Sequence, residues 1–178
     1  MKIYTKRGDD GSTGLFFGGR VAKDSPRPTA YGAVDEAQAA IGVARAATSD
    51  AGLDELLIVI GRDLYVAMAE LATGVSNSDK LVAGQTLMVQ TMVDRLEAAI
   101  DETSERFEMP TEFVVPGGSV VSAALDVART VVRRAERESL SVAVEESLVV
   151  PYLNRLSDLL WALARWQENS TTPSRTAT

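Results

Sequence analysis

Between roughly residues 29 and 168, apolar residues recur at intervals of three and four in five separate stretches, each bounded by a helix breaker or a capping residue. That interval lines one face of an α-helix, so it leaves few folds open. The first stretch carries Ala30, Val34, Ala37, Ile41 and Ala44 on one stripe. The second runs from about Leu53 to Thr73 and stops at Gly74, a natural C-terminal glycine. The third spans about Gln85 to Ser104, with Leu87, Met92, Val93, Leu96 and Ile100 expected inside. The fourth follows Gly117-Gly118-Ser119, with Ser119 as N-cap, and continues to about Leu140. The fifth covers about Leu148 to Glu168 and tolerates Pro151 only in its first turn. Glu112 to Gly118 reads as a short extended segment ending in a forced turn. The expected fold is all-α, an antiparallel five-helix bundle in a single domain over 1–168. Residues 1–28 form an extended N-terminal arm without a core of its own, and 169–178 read as a disordered Ser/Thr-rich tail.

Composition narrows the chemistry. The 178 residues include no cysteine and no histidine. Disulfides, thiolate sites and imidazole bases are therefore excluded, and reactivity must come from a substrate or cofactor. A net charge of −7 argues against non-specific nucleic-acid binding, so any polyanion must meet a local concentration of cations. The longest apolar run, Leu56 to Ile60, is too short to span a bilayer, and the N-terminal residues lack the apolar stretch of a secretory signal. A cytoplasmic location without membrane attachment is expected.

Two segments concentrate those cations. The arm reads Thr5-Lys6-Arg7-Gly8-Asp9-Asp10-Gly11-Ser12-Thr13-Gly14, followed by Gly18-Gly19-Arg20 and Lys23. Glycines amid hydroxyls and cations suit a backbone that curls its N–H groups around phosphate. A flexible leader fits the same letters. The fourth helix carries Asp126, Arg129, Arg133, Arg134, Glu136 and Arg137. Asp126, Arg129, Arg133, Glu136 and Arg137 fall on one stripe, with Val120, Ala124, Val127, Val131 and Ala135 facing elsewhere. Guanidiniums grip phosphate oxygens bidentately, and Glu136 among them is suited to Mg²⁺. A solvated face laced with ion pairs is the alternative.

Other positions are less decided. Asn154 and Asp158 share a face of the fifth helix opposite Leu153, Leu156, Leu160 and Leu163, and that spacing favours a structural role for Asn154. Gly32 and Gly42 each weaken the first helix by about 1 kcal/mol against alanine, which suggests close approach of a backbone, ligand or subunit. Asp35 is either a surface acid or the counter-charge of an arginine such as Arg129. Phe113 either plugs the bundle end or offers an apolar wall to a planar ligand.

Taken together, five blocks resemble the PduO-type ATP:cob(I)alamin adenosyltransferases: TKRGDDGSTGL at 5–15, AYGAVDE at 30–36, FVVPGG at 113–118, RRAER at 133–137 and YLNRLSD at 152–158. They stand in family order and span Lys2 to Trp166. Departures are mild: Ala37-Gln38 where Leu-Asn is common, and Val115 for a frequent Leu before Pro116. The resemblance implies a homotrimer with sites between adjacent subunits, each using the arm of one copy and the fourth and fifth helices of its neighbour. Thr5, Lys6, Arg7, Gly8, Thr13, Gly14 and Lys23 would wrap the triphosphate of ATP. Arg133, Arg134 and Arg137 would neutralise it, Glu136 would hold Mg²⁺, and Asn154 would fix the adenosine. Asp35 and Arg129 resemble an inter-subunit pair beside cobalamin, and Phe113 an apolar wall under the cobalt. Catalytic duty would fall to Arg133, Asp35 and Arg129.

The implied reaction fits a chain without imidazole. Cob(I)alamin is itself a strong nucleophile; its cobalt attacks C5′ of ATP and triphosphate leaves. The protein need only align the partners and stabilise the departing charge. An apolar wall that displaces the corrinoid's own base would ease reduction of Co(II). The resemblance also implies a reductase supplying cob(I)alamin and a cobalamin-dependent mutase receiving the product. A different ATP-dependent transferase, or a carrier or scaffold for adenosylcobalamin, is the competing expectation, and the latter has no need to grip a triphosphate.

Overall fold

The computed structural model describes residues 2–168 and 172–175. Five helices carry the fold: α1 (Pro26–Ala47), α2 (Ala51–Leu71), α3 (Gln90–Ser104), α4 (Val120–Ser139) and α5 (Val149–Trp166). Each begins where local chemistry permits. Pro26 opens α1, where its missing N–H is no loss. Asp50 caps α2 by accepting from the Leu53 N–H at 2.8 Å. Ser119 and Ser122 form a reciprocal capping box on α4. Pro151 falls in the first turn of α5, as its ring requires.

The helices alternate in direction. Arg27 on α1 reaches the Leu71 carbonyl while Arg45 pairs with Asp54, so α1 and α2 are antiparallel. Arg155 meets Glu97, and Arg106 covers the Trp166 ring, so α3 and α5 run the same way. α1 packs on α2 and α4, and α5 packs on α4 and α3. Leu53, Leu57, Ile60, Leu64, Leu96, Leu125, Leu153, Leu156 and Leu160 are almost fully enclosed. Burying such a side chain stabilises the fold by about 2 kcal/mol. The five-helix expectation holds.

Four local features depart from the sequence reading. The arm is folded rather than merely extended: β1 (Ser12–Gly14) pairs antiparallel with β2 (Arg20–Ala22), closed by Gly18 and Gly19 at positive φ. This hairpin docks through the Phe16 N–H on the Ala72 carbonyl at 3.1 Å. α3 starts at Gln90 rather than Gln85, because Gly84 at φ +75° turns the chain and the Val82 carbonyl accepts the N–H groups of Gln85, Thr86 and Leu87. Leu87 is half-buried in that turn, and Met88 takes the inner position. Val75–Lys80 forms a 3-10 turn after α2. Of the tail expected to be disordered, Thr172 and Ser174 exchange backbone hydrogen bonds with Val115 and Phe113, while 169–171 and 176–178 lie outside the described residues.

The bundle thus has two chemically distinct ends. One gathers the hairpin, the start of α1, the end of α2, the end of α4 and the start of α5. The other holds the 107–119 connection with Phe113, the start of α4 and the end of α5.

Candidate functional site

The arm's loop is tied together by Arg20. Its Nη2 donates to the Arg7 carbonyl at 2.7 Å and its Nε to Ser12 Oγ at 3.0 Å. Asp10 accepts from both the N–H and the hydroxyl of Ser12, and these hydrogen bonds hold its carboxyl below the usual carboxylate range. Lys6 adopts φ +60°, a left-handed conformation unusual for lysine and held by the loop around it. Gly8 lets Lys23 lie across the loop: a Cβ there would sit 3.1 Å from both Cε and Nζ of Lys23. The N–H groups of Arg7, Asp9, Gly11 and Ser12 already donate within the loop. Those N–H groups are therefore already engaged, and the segment offers the side chains of Thr5, Lys6, Arg7, Thr13 and Lys23 rather than an open backbone nest. Gly14 ends β1 opposite Arg20.

Along α4 the six singled-out residues divide. Arg133 and Arg137 are exposed and form no ion pair among the described residues; Arg137 Nη1 donates only to the Arg133 carbonyl, at 2.8 Å. Glu136 is half-buried and makes no hydrogen bond or ion pair among the described residues. Arg134 differs, pairing with Glu36 of α1 at 2.6 Å, which raises its already high pKa. Asp126 differs most. It is 4% exposed, accepting from Arg129 Nε at 3.1 Å and from Arg165 Nη2 at 2.5 Å. The expected apolar face is accordingly rotated: Val120 and Val127 are 77% and 58% exposed, while Leu125, Ala128 and Val132 are inside. Asp126 can turn inward only because Arg165 meets it there.

Asn154 is exposed on α5, and its side chain makes no hydrogen bond among the described residues, which corrects the structural role its spacing favoured. Asp35 is exposed on α1, and within the chain Arg129 takes Asp126 as its counter-charge instead. Among the described residues, nothing beyond the adjacent backbone of the same helix lies within 4 Å of where Cβ atoms at Gly32 or Gly42 would stand, so neither glycine serves close packing against another described element.

Phe113 does not plug the bundle end. It is 90% exposed, at the lip of a cleft of about 440 Å³ lined by Val114, Pro116, Asp126, Arg129, Trp161 and Arg165. Sequence reasoning missed two charged residues beneath that cleft, Arg165 and Glu168. The signal was available, since Arg165 is a lone cation within the apolar run Leu159–Trp166 and a buried cation demands an acid. Glu168 Oε1 accepts from Arg165 at 2.7 Å, and burial pushes its carboxyl above the ordinary range against the pull of Arg165. Also unforeseen were Asp63, held by Arg95 and by Tyr152 Oη at 3.1 Å, and Glu70, which accepts from Met88 N–H and Ser147 Oγ. Burial next to Asp63 drives the Tyr152 phenol well above its usual value. These acids join α2 to α5, and with them the stretch bearing Asn154.

No hydrogen bond or ion pair joins the arm to α4 among the described residues. The cationic, hydroxyl-rich loop and the arginine-bearing helix are therefore separate surfaces within one copy. On the helix Arg133 and Arg137 have no acidic partner among the described residues, whereas Arg20 of the loop lies 3.6 Å from Asp10.

Comparison with known proteins places this arrangement. The family described as cobalamin adenosyltransferase matches residues 3–167. The corrinoid adenosyltransferase PduO of Salmonella typhimurium is 40% identical over 95% of this chain, which spans 50% of that protein's length. The corrinoid adenosyltransferase of Mycobacterium tuberculosis is 45% identical, over 92% of this chain and 87% of that one. Among solved structures, a variant of the PduO-type ATP:corrinoid adenosyltransferase from Lactobacillus reuteri complexed with cobalamin and ATP superposes with a TM-score of 0.87. It is 30% identical, and the match covers 99% of this chain and 98% of that one. With the motif blocks in order and the bundle in place, this chain belongs to the cobalamin adenosyltransferase family.

Proposed function

We propose that the chain transfers the 5′-deoxyadenosyl group of ATP to the cobalt of reduced cobalamin, releasing triphosphate. The observation that carries the reading is the pair Arg133 and Arg137, exposed and without acidic partners among the described residues, on a helix of an acidic protein. Guanidiniums left without counter-charge suit an anion that arrives from outside. In this reading Thr5, Lys6, Arg7, Gly8, Thr13, Gly14 and Lys23 of one copy close over the triphosphate gripped by Arg133 and Arg137 of another. Arg134 adds positive field from its ion pair with Glu36. Asn154, whose amide is open, fixes the adenosine.

Glu136 fits a Mg²⁺ ion on the phosphates. It is a single carboxylate without a protein partner among the described residues, and Mg²⁺ bound to a nucleotide needs only one or two. When bound, the ion would offset charge on the leaving triphosphate. Arg133 does the same from the protein side as the bond to C5′ breaks, which makes it the main electrostatic contributor. Phe113 walls the corrinoid and Arg129, with Asp35 from a neighbouring copy, flanks it. A homotrimer meets the need for arm and helix to come from different copies. A cytoplasmic protein in this role would take its reduced corrinoid from a reductase and pass the product to a mutase.

The test is direct. Purified protein incubated with Mg-ATP and chemically reduced cobalamin should give the spectrum of the alkylated corrinoid together with intact triphosphate. Release of phosphate or pyrophosphate would point to another ATP-dependent reaction. Corrinoid binding without a new cobalt–carbon bond would point to a carrier.

A further inference from the structure

Arg129 reaches the cleft with its side chain 27% exposed, whereas the acid that anchors it is 5% exposed. One carboxylate serves two guanidiniums there: Asp126 Oδ1 accepts from Arg129 Nε, and Oδ2 from Arg165 Nη2. Arg165 is fixed in turn by Glu168 at 2.7 Å and by the Trp161 ring, 5.7 Å from its guanidinium carbon. The acid is therefore clamped on its inner side and has no freedom to follow Arg129. Because Arg129 bonds through Nε, both of its terminal amino groups are without a partner among the described residues. They are directed by a planar group whose orientation Asp126 sets.

We infer that Asp126 is a positioning residue: it holds the Arg129 guanidinium in the cleft under Phe113 so that both terminal amino groups stay available to what binds there. This rests on reading that cleft as the corrinoid's seat. It assigns a task to an acid that touches no substrate, and it makes the Arg165–Glu168 pair the brace behind that acid. The two acids and two arginines balance in charge, so the cleft gains an oriented donor without gaining net charge. An arginine bonded only to water could not offer the same donor in a fixed direction.

The experiment is a double-substitution cycle of Asp126→Asn and Arg129→Gln, read as KM for cob(I)alamin and for ATP separately, with thermal melts as a folding check. Asp126→Asn should raise the corrinoid KM about tenfold and leave the ATP KM within about twofold. In the Arg129→Gln background the same change should alter the corrinoid KM by less than about twofold, since nothing is left to position. Arg129→Lys, which keeps the charge but loses the Nε contact, should reproduce the Asp126→Asn effect even if the latter folds poorly. Effects that simply add, or that shift both substrates alike, overturn the assignment. Wild-type protein that binds the corrinoid but forms no cobalt–carbon bond overturns the proposed reaction instead, and the cycle is then read in corrinoid Kd. Wild-type protein that binds no corrinoid overturns both.

Discussion

Asp126 and Glu136 are the acids at either end of one arginine-bearing stretch of α4, ten residues and about 15 Å of helix apart. The first is sealed between two arginines; the second is half-buried and open. Both have arginine within three residues on α4, one beside Asp126 and three beside Glu136, yet the difference in burial comes from the far side. α5 brings Arg165 inward against Asp126, while nothing basic from another element meets Glu136 among the described residues. A helix can thus carry one charge as framework and another as equipment. The division shows which changes should harm the fold and which the reaction.

The sharpest way to break this contrast is Asp126→Ala, which strands Arg165 and should lower stability by about 3–5 kcal/mol, measured by urea unfolding. A loss below about 1 kcal/mol would mean that the pair is framework in appearance only. Arg133→Ala should do the reverse. Its side chain is exposed, so the melt should stay put while turnover falls about a hundredfold or more. A wild-type rate would remove Arg133 from the site. The intermediate case is Arg134, whose pair with Glu36 is 40% and 55% exposed on its two sides. Glu36→Gln should change stability by less than about 1 kcal/mol, and the same variant reports whether Arg134 is needed at the phosphates.

The smallest effect concerns Glu168. Its folded-state pKa lies above the ordinary 4.5, so the folded protein binds the proton more tightly than the unfolded chain does. The corresponding stability is present below 4.5 and is lost as pH rises through the raised value. Wild type should therefore lose ground to Glu168→Gln in denaturant titrations as pH rises above 4.5. A difference that is flat with pH would place Glu168 in water.

Much of this was legible from the letters because periodicity and capping are local. The stripe of α1, the Ser119 cap and the tolerated Pro151 all follow from residues within a few positions of one another. By contrast, α2 ends at Leu71 with Ala72 as its cap, and Gly74, at φ −68°, does not act as the expected glycine stop. The concentration of cations on α4 was legible too, since four arginines fall within nine residues of an acidic chain. What misled was rotation. Of the residues expected opposite the charged stripe of α4, Ala124 and Ala135 are inside but Val120 and Val127 face out, and Leu125, Ala128 and Val132 fill the seam. The letters left Phe113 open between a plug and an apolar wall, and its 90% exposure, a property of the connection that carries it, removes the plug.

The sequence by itself determined five amphipathic helices, a reaction without imidazole or thiol, and the residues available to grip a polyphosphate, because each depends on residue type and near-neighbour spacing. Only the tertiary structure decided which charges are silent. Arg165, Glu168, Asp63 and Glu70 meet their partners across elements far apart in the chain, and a buried charge takes its state from what folding brings beside it.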